Sequence, residues 1–361
     1  AEMATKEFSA SLTGVTLSTE QLAFAQKRNP TADLRLQDYR DINDGPYDAI
    51  CSIEMVEAVG QAYWPQYFQT VRRLLGTSWD YVVTDVTLGQ SGNAERMAHI
   101  AAELGIDLSG WRQVHESDPR AAAAVAVAMA RQGEVGAVMK GAIHSDELLA
   151  AVVNKEHGLR GHSRLSHVFV MDAPMLDHLL FISDAAINIA PDLTTKVDIT
   201  QNAIDLARAC GLDCPRVGIL SAVETINTSI PSTLDAAVLS KMAERGQIRG
   251  GTVDGPLAMD NAIDLDAART KGIQSLVAGR AEVLIVPNLE AGNMLAKELT
   301  FVARAEAAGL VVGARVPVIL TSRADNDRSR LASCALALLY DHWRQTGVCA
   351  VPVEPELEAT A

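Results

Sequence analysis

The chain has 361 residues, of which 48% are hydrophobic and only 4% aromatic, and a formal charge of −14. That balance excludes non-specific nucleic-acid binding, which needs a basic face, but leaves room for anionic small molecules at local Arg clusters. No apolar run reaches the length of a membrane span, and no basic stretch followed by an apolar core opens the chain, so the expectation is a cytoplasmic protein without membrane contact.

In chain order, strands are predicted over 47–53, 81–87, 135–139, 167–171, 185–189, 217–220, 283–286 and 316–320. Helices fall between them, and such alternation predicts an α/β fold with a mostly parallel sheet. An apolar side made of Tyr67, Phe68, Val71, Leu74 and Leu75 marks a helix over 64–75. Asp118-Pro119 places a cap and a first-turn proline ahead of a helix over 121–131. Apolar spacing at Val197, Ala203, Ile204 and Ala207 predicts a helix over 196–210 that stops at Gly211. Ser232 precedes a helix over 234–245, with Gly246 as its left-handed cap. A long helix over 292–308 closes on Gly309, and the tail 351–361, with two Pro and three Glu, is expected to be disordered.

Cys51, Cys210, Cys214, Cys334 and Cys349 are scattered and read as small buried thiols in a reducing compartment. Cys210 and Cys214 form at most half a metal site, and no matching pair follows, so no metal is expected. Gly89 and Gly92 lack the third glycine and the acidic partner of a dinucleotide fingerprint.

Four turns carry the candidate chemistry. Residues 317–333, PVILTSRADNDRSRLAS, run from an apolar strand through Ser322, Arg323, Asp325 and Asp327 into an apolar helix. A hydroxyl, guanidinium forks and carboxylates in one strand-to-helix turn suit phosphate binding beside a proton transfer. Ligands in open parallel sheets sit at the carboxyl ends of strands. Residues 139–172, MKGAIHSDELLAAVVNKEHGLRGHSRLSHVFVMD, contain Lys140, His144, Arg160, Arg164, Ser166 and His167. Residues 283–297, VLIVPNLEAGNMLAK, place Asn288 and Asn293 around a Glu-Ala-Gly turn, and 255–260, GPLAMD, end on Asp260. Each segment taken singly is also what a solvated loop or a capped helix looks like.

Together, in this order, the four segments resemble the phosphate acetyl/butyryltransferase family over about 80–347. The resemblance implies a two-domain, isopropylmalate dehydrogenase-like fold with a mostly parallel sheet and an interdomain cleft. Residues 77–164 plus 312–350 would form one domain and 165–311 the other. It implies transfer of an acetyl or short-chain acyl group from acyl-CoA to inorganic phosphate, giving acyl phosphate and coenzyme A. The resemblance further implies a ternary-complex mechanism, coenzyme A as a substrate and not a cofactor, and a homodimer.

Arg323 would grip the phosphate while Ser322 steadies the reacting thiol or oxyanion, where preorganised donors are worth about 3 kcal/mol. The base would be Asp325 or Asp327, with Asp327 preferred because Arg323 and Arg328 lie nearby; family members carry an Asp seven positions after the Ser, where this chain has Ser329. Arg164 is the expected second phosphate ligand. Arg160, Lys140, His144, Ser166, Asn288, Asn293 and Asp260 are substrate-binding candidates, and His167 an orienting one. The alternatives are a phosphate butyryltransferase and an inactive chimera that keeps the transferase fold.

The chimera alternative arises at the front of the chain. Residues 14–28, 34–41 and 47–75 resemble the cyclopropane-fatty-acyl-phospholipid synthase type of S-adenosylmethionine methyltransferase, and 1–76 forms a truncated segment of that kind. The resemblance places Thr16, Ser18 and Gln21 near the cofactor ribose, Gln37 and Asp38 near the adenine, and Glu54 and Glu57 at the catalytic pocket. The glycine-rich turn that cradles the cofactor would sit immediately before Ala1, so methyl transfer is not expected. The helix over 64–75 would then stand in for a helix at the front of the transferase.

Overall fold

A computed structural model describes residues 11–45, 47, 70, 102, 114–141, 143–320 and 326–350. The expected strand over 81–87, the tail 351–361, and all but single residues of the expected strand 47–53 and helix 64–75 lie outside the described residues. The chain divides into two compact units, Ala1–Trp79 with Arg96–Gly110, and Asp80–Glu95 with Trp111–Ala361.

The first unit holds a β-α-β element. Strand β1 (Thr13–Thr16) and strand β2 (Asp33–Leu36) pair in parallel. Helix α1 (Thr19–Arg28) crosses between them, opened by the Ser18 hydroxyl accepting from Gln21 N–H.

The second unit is built on one eight-stranded sheet. In chain order its elements are α2 (Pro119–Arg131), β3 (Val138–Met139), α3 (Ser145–Val152), β4 (Ser166–Asp172), β5 (Leu180–Ser183), α4 (Leu193–Ala209) and β6 (Arg216–Leu220). Then come α5 (Pro231–Glu244), β7 (Thr252–Leu257), α6 (Met259–Ile263), α7 (Leu265–Thr270), β8 (Val283–Ile285), α8 (Leu289–Phe301), β9 (Glu306–Val312), β10 (Val318–Ile319) and α9 (Asp327–Thr346). The sheet order is β3-β10-β9-β4-β5-β8-β6-β7. Four of its seven pairings are parallel; β9 runs against both β10 and β4, and β4 runs against β5.

Helix starts follow their local chemistry. Asp118 caps α2 by accepting from Ala121 N–H at 2.7 Å, with Pro119 in the first turn. Gly211, Gly246 and Gly347 all take positive φ just past helix ends. Helix α5 starts at Pro231, earlier than Ser232 indicated.

One strand expectation is corrected and two strands stand where the sequence predicts none. The strand lies at β5, not at 185–189; β7 takes in the Gly-Pro of the 255–260 segment, and β9 the end of the helix expected over 292–308. The predicted helix over 292–308 is instead α8 followed by β9, and Gly309 sits inside that strand. It cannot be otherwise there, because a Cβ on Gly309 would meet the His167 ring at 2.8 Å.

The core sits on both faces of the sheet. Helix α4 buries Ile199, Ala203, Ile204, Leu206 and Ala207 against Phe181, Val217 and Val283, while α9 adds Leu336, Ala337 and Tyr340. The fully buried Ile, Leu, Val and Phe side chains among these contribute roughly 1.5–3 kcal/mol each. On the other side, the Ala-rich face of α2 packs with Leu148 and Val152 of α3 around Val138 and Val318. The thiols are less buried than expected: Cys214 is exposed and Cys210, Cys334 and Cys349 are half-buried. Burial still pushes Cys210 up to about 12.

Candidate active site

Strand directions decide which candidates meet. Strands β3 and β10 run in parallel, with Val318 opposite Val138 and Ile319 opposite Met139. Lys140 continues the ladder by donating its N–H to the Ile319 carbonyl at 3.1 Å. The end of β10 therefore lies beside Lys140, which is buried. Helix α3 leaves this same edge, with the exposed His144 as its N-cap. Helix α9 starts here too, capped by the Asn326 carboxamide accepting from Ser329 N–H at 2.8 Å. Two helix N-termini and a lysine at the ends of adjacent parallel strands make a positive edge suited to an anion.

Ser322, Arg323 and Asp325 come between β10 and α9 in the chain and lie outside the described residues. Asp327 opens α9; it is exposed, and its carboxylate lies 3.7 Å from Arg330. The Arg328 guanidinium, expected beside it, pairs instead with Glu306 at 2.8 Å.

The remaining candidates gather elsewhere. Strand β4 runs in the direction of β10, so Arg164, just ahead of β4, lies at the end where β10 begins. The register joins Val138 to Val318, Val311 and His167, so β3 ends level with the first half of β4. Arg164 lies two residues ahead of the start of β4. It is locked in place: its Nη1 donates to Thr195 Oγ1 at 2.7 Å, its N–H to Asp198 at 3.1 Å, and its carbonyl accepts from Asn202 at 2.8 Å. Ser166 is fully buried and accepts from Asn202, while Arg160 donates to the Val153 carbonyl. His167 is buried edge-on against Phe169, which suits a structural part.

Strands β5, β8, β6 and β7 run opposite to β10, so their carboxyl ends share the Arg164 side of the sheet. Asn288 is the cap of α8, accepting from Ala291 N–H at 2.9 Å, and Asn293 donates to the Ala185 carbonyl at 3.2 Å. Asp260 meets Lys271 at 3.0 Å, and that ammonium, bridging also to Glu224 at 3.1 Å, holds the Asp260 carboxyl below its ordinary range.

Two groups at the β3–β10 edge escaped the sequence reading. Glu147, in the first turn of α3, is mostly buried and 3.7 Å from Arg120. Its only signal was an acidic pair, Asp146-Glu147, which any helix start carries. Glu306, which takes Arg328, gave none.

Among the residues aligned with the methyltransferase, Thr16 Oγ1 donates to Gln21 Oε1 at 2.9 Å, and Asp38 accepts from the Arg40 guanidinium at 2.6 Å. Glu54 and Glu57 lie outside the described residues. Among the described residues no group of three or more His, Cys, Asp or Glu is arranged to hold a metal, and no helix is long and apolar enough to cross a membrane.

Comparison with known proteins adds two family matches. Residues 92–338 match the phosphate acetyl/butaryl transferase family and residues 1–119 the mycolic acid cyclopropane synthetase family, so both ranges take in 92–119. A phosphate acetyltransferase of Rhizobium meliloti is 60% identical over 245 residues, covering 68% of this chain and 78% of its own. A phosphate butyryltransferase of Clostridium beijerinckii is 44% identical over 248 residues, covering 69% and 82%. Among solved structures, a branched-chain phosphotransacylase of Enterococcus faecalis superposes with a TM-score of 0.62 at 31% identity, covering 77% of this chain and 94% of that one.

Proposed function

We propose that this chain, which belongs to the phosphate acetyl/butyryltransferase family, moves an acetyl group between coenzyme A and inorganic phosphate. Acetyl transfer is favoured over butyryl because the acetyltransferase relative is the more similar of the two compared. Acyl-CoA, phosphate, acyl phosphate and coenzyme A are then its ligands. The finer reading is an isopropylmalate dehydrogenase-like pair of domains, 77–164 with 312–350 and 165–311, in a homodimer.

The observation that supports the assignment of the site is the pairing of Ile319 with Met139, which brings Lys140 alongside the end of β10, the strand that precedes Ser322 and Arg323 in the chain. Arg323 offers a planar fork to two phosphate oxygens, and Lys140 adds a point charge. The N-termini of α3 and α9 supply partial positive charge to the same edge. When the thiolate attacks the acyl carbon of the acyl phosphate, negative charge develops on the carbonyl oxygen. A donor such as the Ser322 hydroxyl then stabilises the transition state more than the ground state. Nothing in this scheme routes through a metal or a covalent enzyme intermediate.

The test is release of free thiol from acetyl-CoA in the presence of phosphate. Arg323→Ala should raise the phosphate KM by roughly 10- to 100-fold, as loss of a charged ligand costs about 1.5–3 kcal/mol. Arg323→Lys should recover only part, since an ammonium cannot make the fork. Unchanged phosphate kinetics would remove Arg323 from the site, and a parent without turnover would favour the inactive chimera.

A further inference from the structure

Glu147 stands at the third position of α3, after the N-cap His144. A Glu there ordinarily reaches back to bond the N-cap backbone N–H. This one makes no such bond among the described residues. Its side chain is 17% exposed, and Oε2 is enclosed with no hydrogen-bond partner among the described residues. Oε1 lies 3.7 Å from Arg120 Nε, beyond hydrogen-bond range, and the Arg120 side chain is 83% exposed. Solvent screens such a pair, so it offsets little of the cost of burying the carboxylate. Buried polar atoms left unbonded cost about 1–3 kcal/mol, more when charged, and those that persist in folded proteins ask for an explanation.

Its location supplies one. Helix α2 runs from this edge back to the start of β3, and α3 leaves from the end of β3. Arg120, at the start of α2, and Glu147, at the start of α3, accordingly stand at the sheet edge where Lys140 closes β3. Asp327 on the same edge is exposed and beside Arg330, in poor position to take a proton away from water.

We propose that Glu147 is the catalytic base, accepting the proton of the coenzyme A thiol; the role rests on the reading of the β3–β10 edge given above. The thiol S–H bond breaks, its proton passes to the Glu147 carboxylate, and sulfur bonds to the acyl carbon of the acyl phosphate. The bond from that carbon to the phosphate oxygen then breaks with its electron pair, and the departing phosphate takes up the proton. In the opposite direction Glu147 takes the proton of hydrogen phosphate and returns it to the thiolate. No oxidant, reductant or third reactant is needed.

The experiment compares the full chain with Glu147→Gln and Glu147→Asp in the thiol-release assay, alongside thermal unfolding. Glu147→Gln should lower turnover ~10²- to 10⁴-fold and leave both Michaelis constants within about threefold. Its unfolding midpoint should match the parent or exceed it, because an amide replaces a buried carboxylate that lacks a donor. Glu147→Asp, which keeps the carboxylate one methylene short, should fall between. Parental turnover in Glu147→Gln overturns the proposal, and so does a lowered midpoint with equal loss in both variants, which marks a structural role. Should Glu147→Gln not fold, Glu147→Asp decides: reduced turnover at an intact midpoint supports the base, parental turnover removes it. The two readings fail separately. Unchanged phosphate kinetics in Arg323→Ala with lost turnover in Glu147→Gln dismisses Arg323 alone, and the converse dismisses Glu147 alone; a parent without turnover overturns both.

Discussion

Asp327 shows what a side chain's neighbours do to an assignment made from spacing. In the sequence it sits between Arg323 and Arg328, and a carboxylate between two guanidiniums reads as a base held ionised. In the fold Arg328 turns to Glu306, and Asp327 lies exposed, opposite Arg330 one helical turn on. That is the arrangement of an acid complementing the start of α9, where Asn326 already provides the cap. Asp327→Asn should therefore keep turnover within a few-fold and cost only about 0.3–1 kcal/mol of stability. Thiol-release kinetics and urea unfolding on the one variant check both halves; a hundredfold fall in turnover would return the base to Asp327. Glu147 was illegible for the opposite reason. Nothing in Ser-Asp-Glu-Leu separates a solvated first-turn acid from one whose oxygen is enclosed, because enclosure depends on neighbours from outside the segment.

Elements were legible where a local signal fixes the backbone, and lost where burial overrode it. The Asp118-Pro119 start of α2 and the glycines ending α4 and α5 are covalent facts about dihedral freedom, and the structure keeps them. Strand β9 is different. Glu306–Val312 reads EAAGLVV, and its Ala residues favour helix, yet it is flanked by β4 and β10 on both sides and most of it is buried. Strand β7 contains a Gly-Pro pair that reads as a turn, but it lies at the end of the sheet order, where a proline is tolerated. Gly309 ties the β9 misreading to packing. It looked like a helix stop, but it is the strand position that leaves room for the His167 ring. Gly309→Ala should cost about 1–3 kcal/mol, because a Cβ at 2.8 Å forces a buried ring to move. A melting temperature equal to the parent's would show that the ring is free to give way.

At the scale of the whole chain, the two compact units differ in what they bury. Among the described residues of Ala1–Trp79, α1 buries none and β1 with β2 makes a two-stranded pair. Pairs of that size are marginal in water. The unit with the eight-stranded sheet encloses its strands between α4, α9, α2 and α3 and carries every residue assigned here to acyl transfer. Units with separate cores unfold in separate steps, and the denaturant dependence of each step follows the surface it exposes. Urea should therefore give a first transition of shallow slope, seen at residues of the first unit, and a second, steeper one at higher concentration. Thiol release, measured after brief incubation at each urea concentration, should survive the first transition and disappear with the second. If activity is lost with the first transition, or if all probes report one coincident step, the two units stabilise each other. The methyltransferase-like segment would then be a working part of the transferase, as the stand-in helix over 64–75 requires, and not a passenger on it.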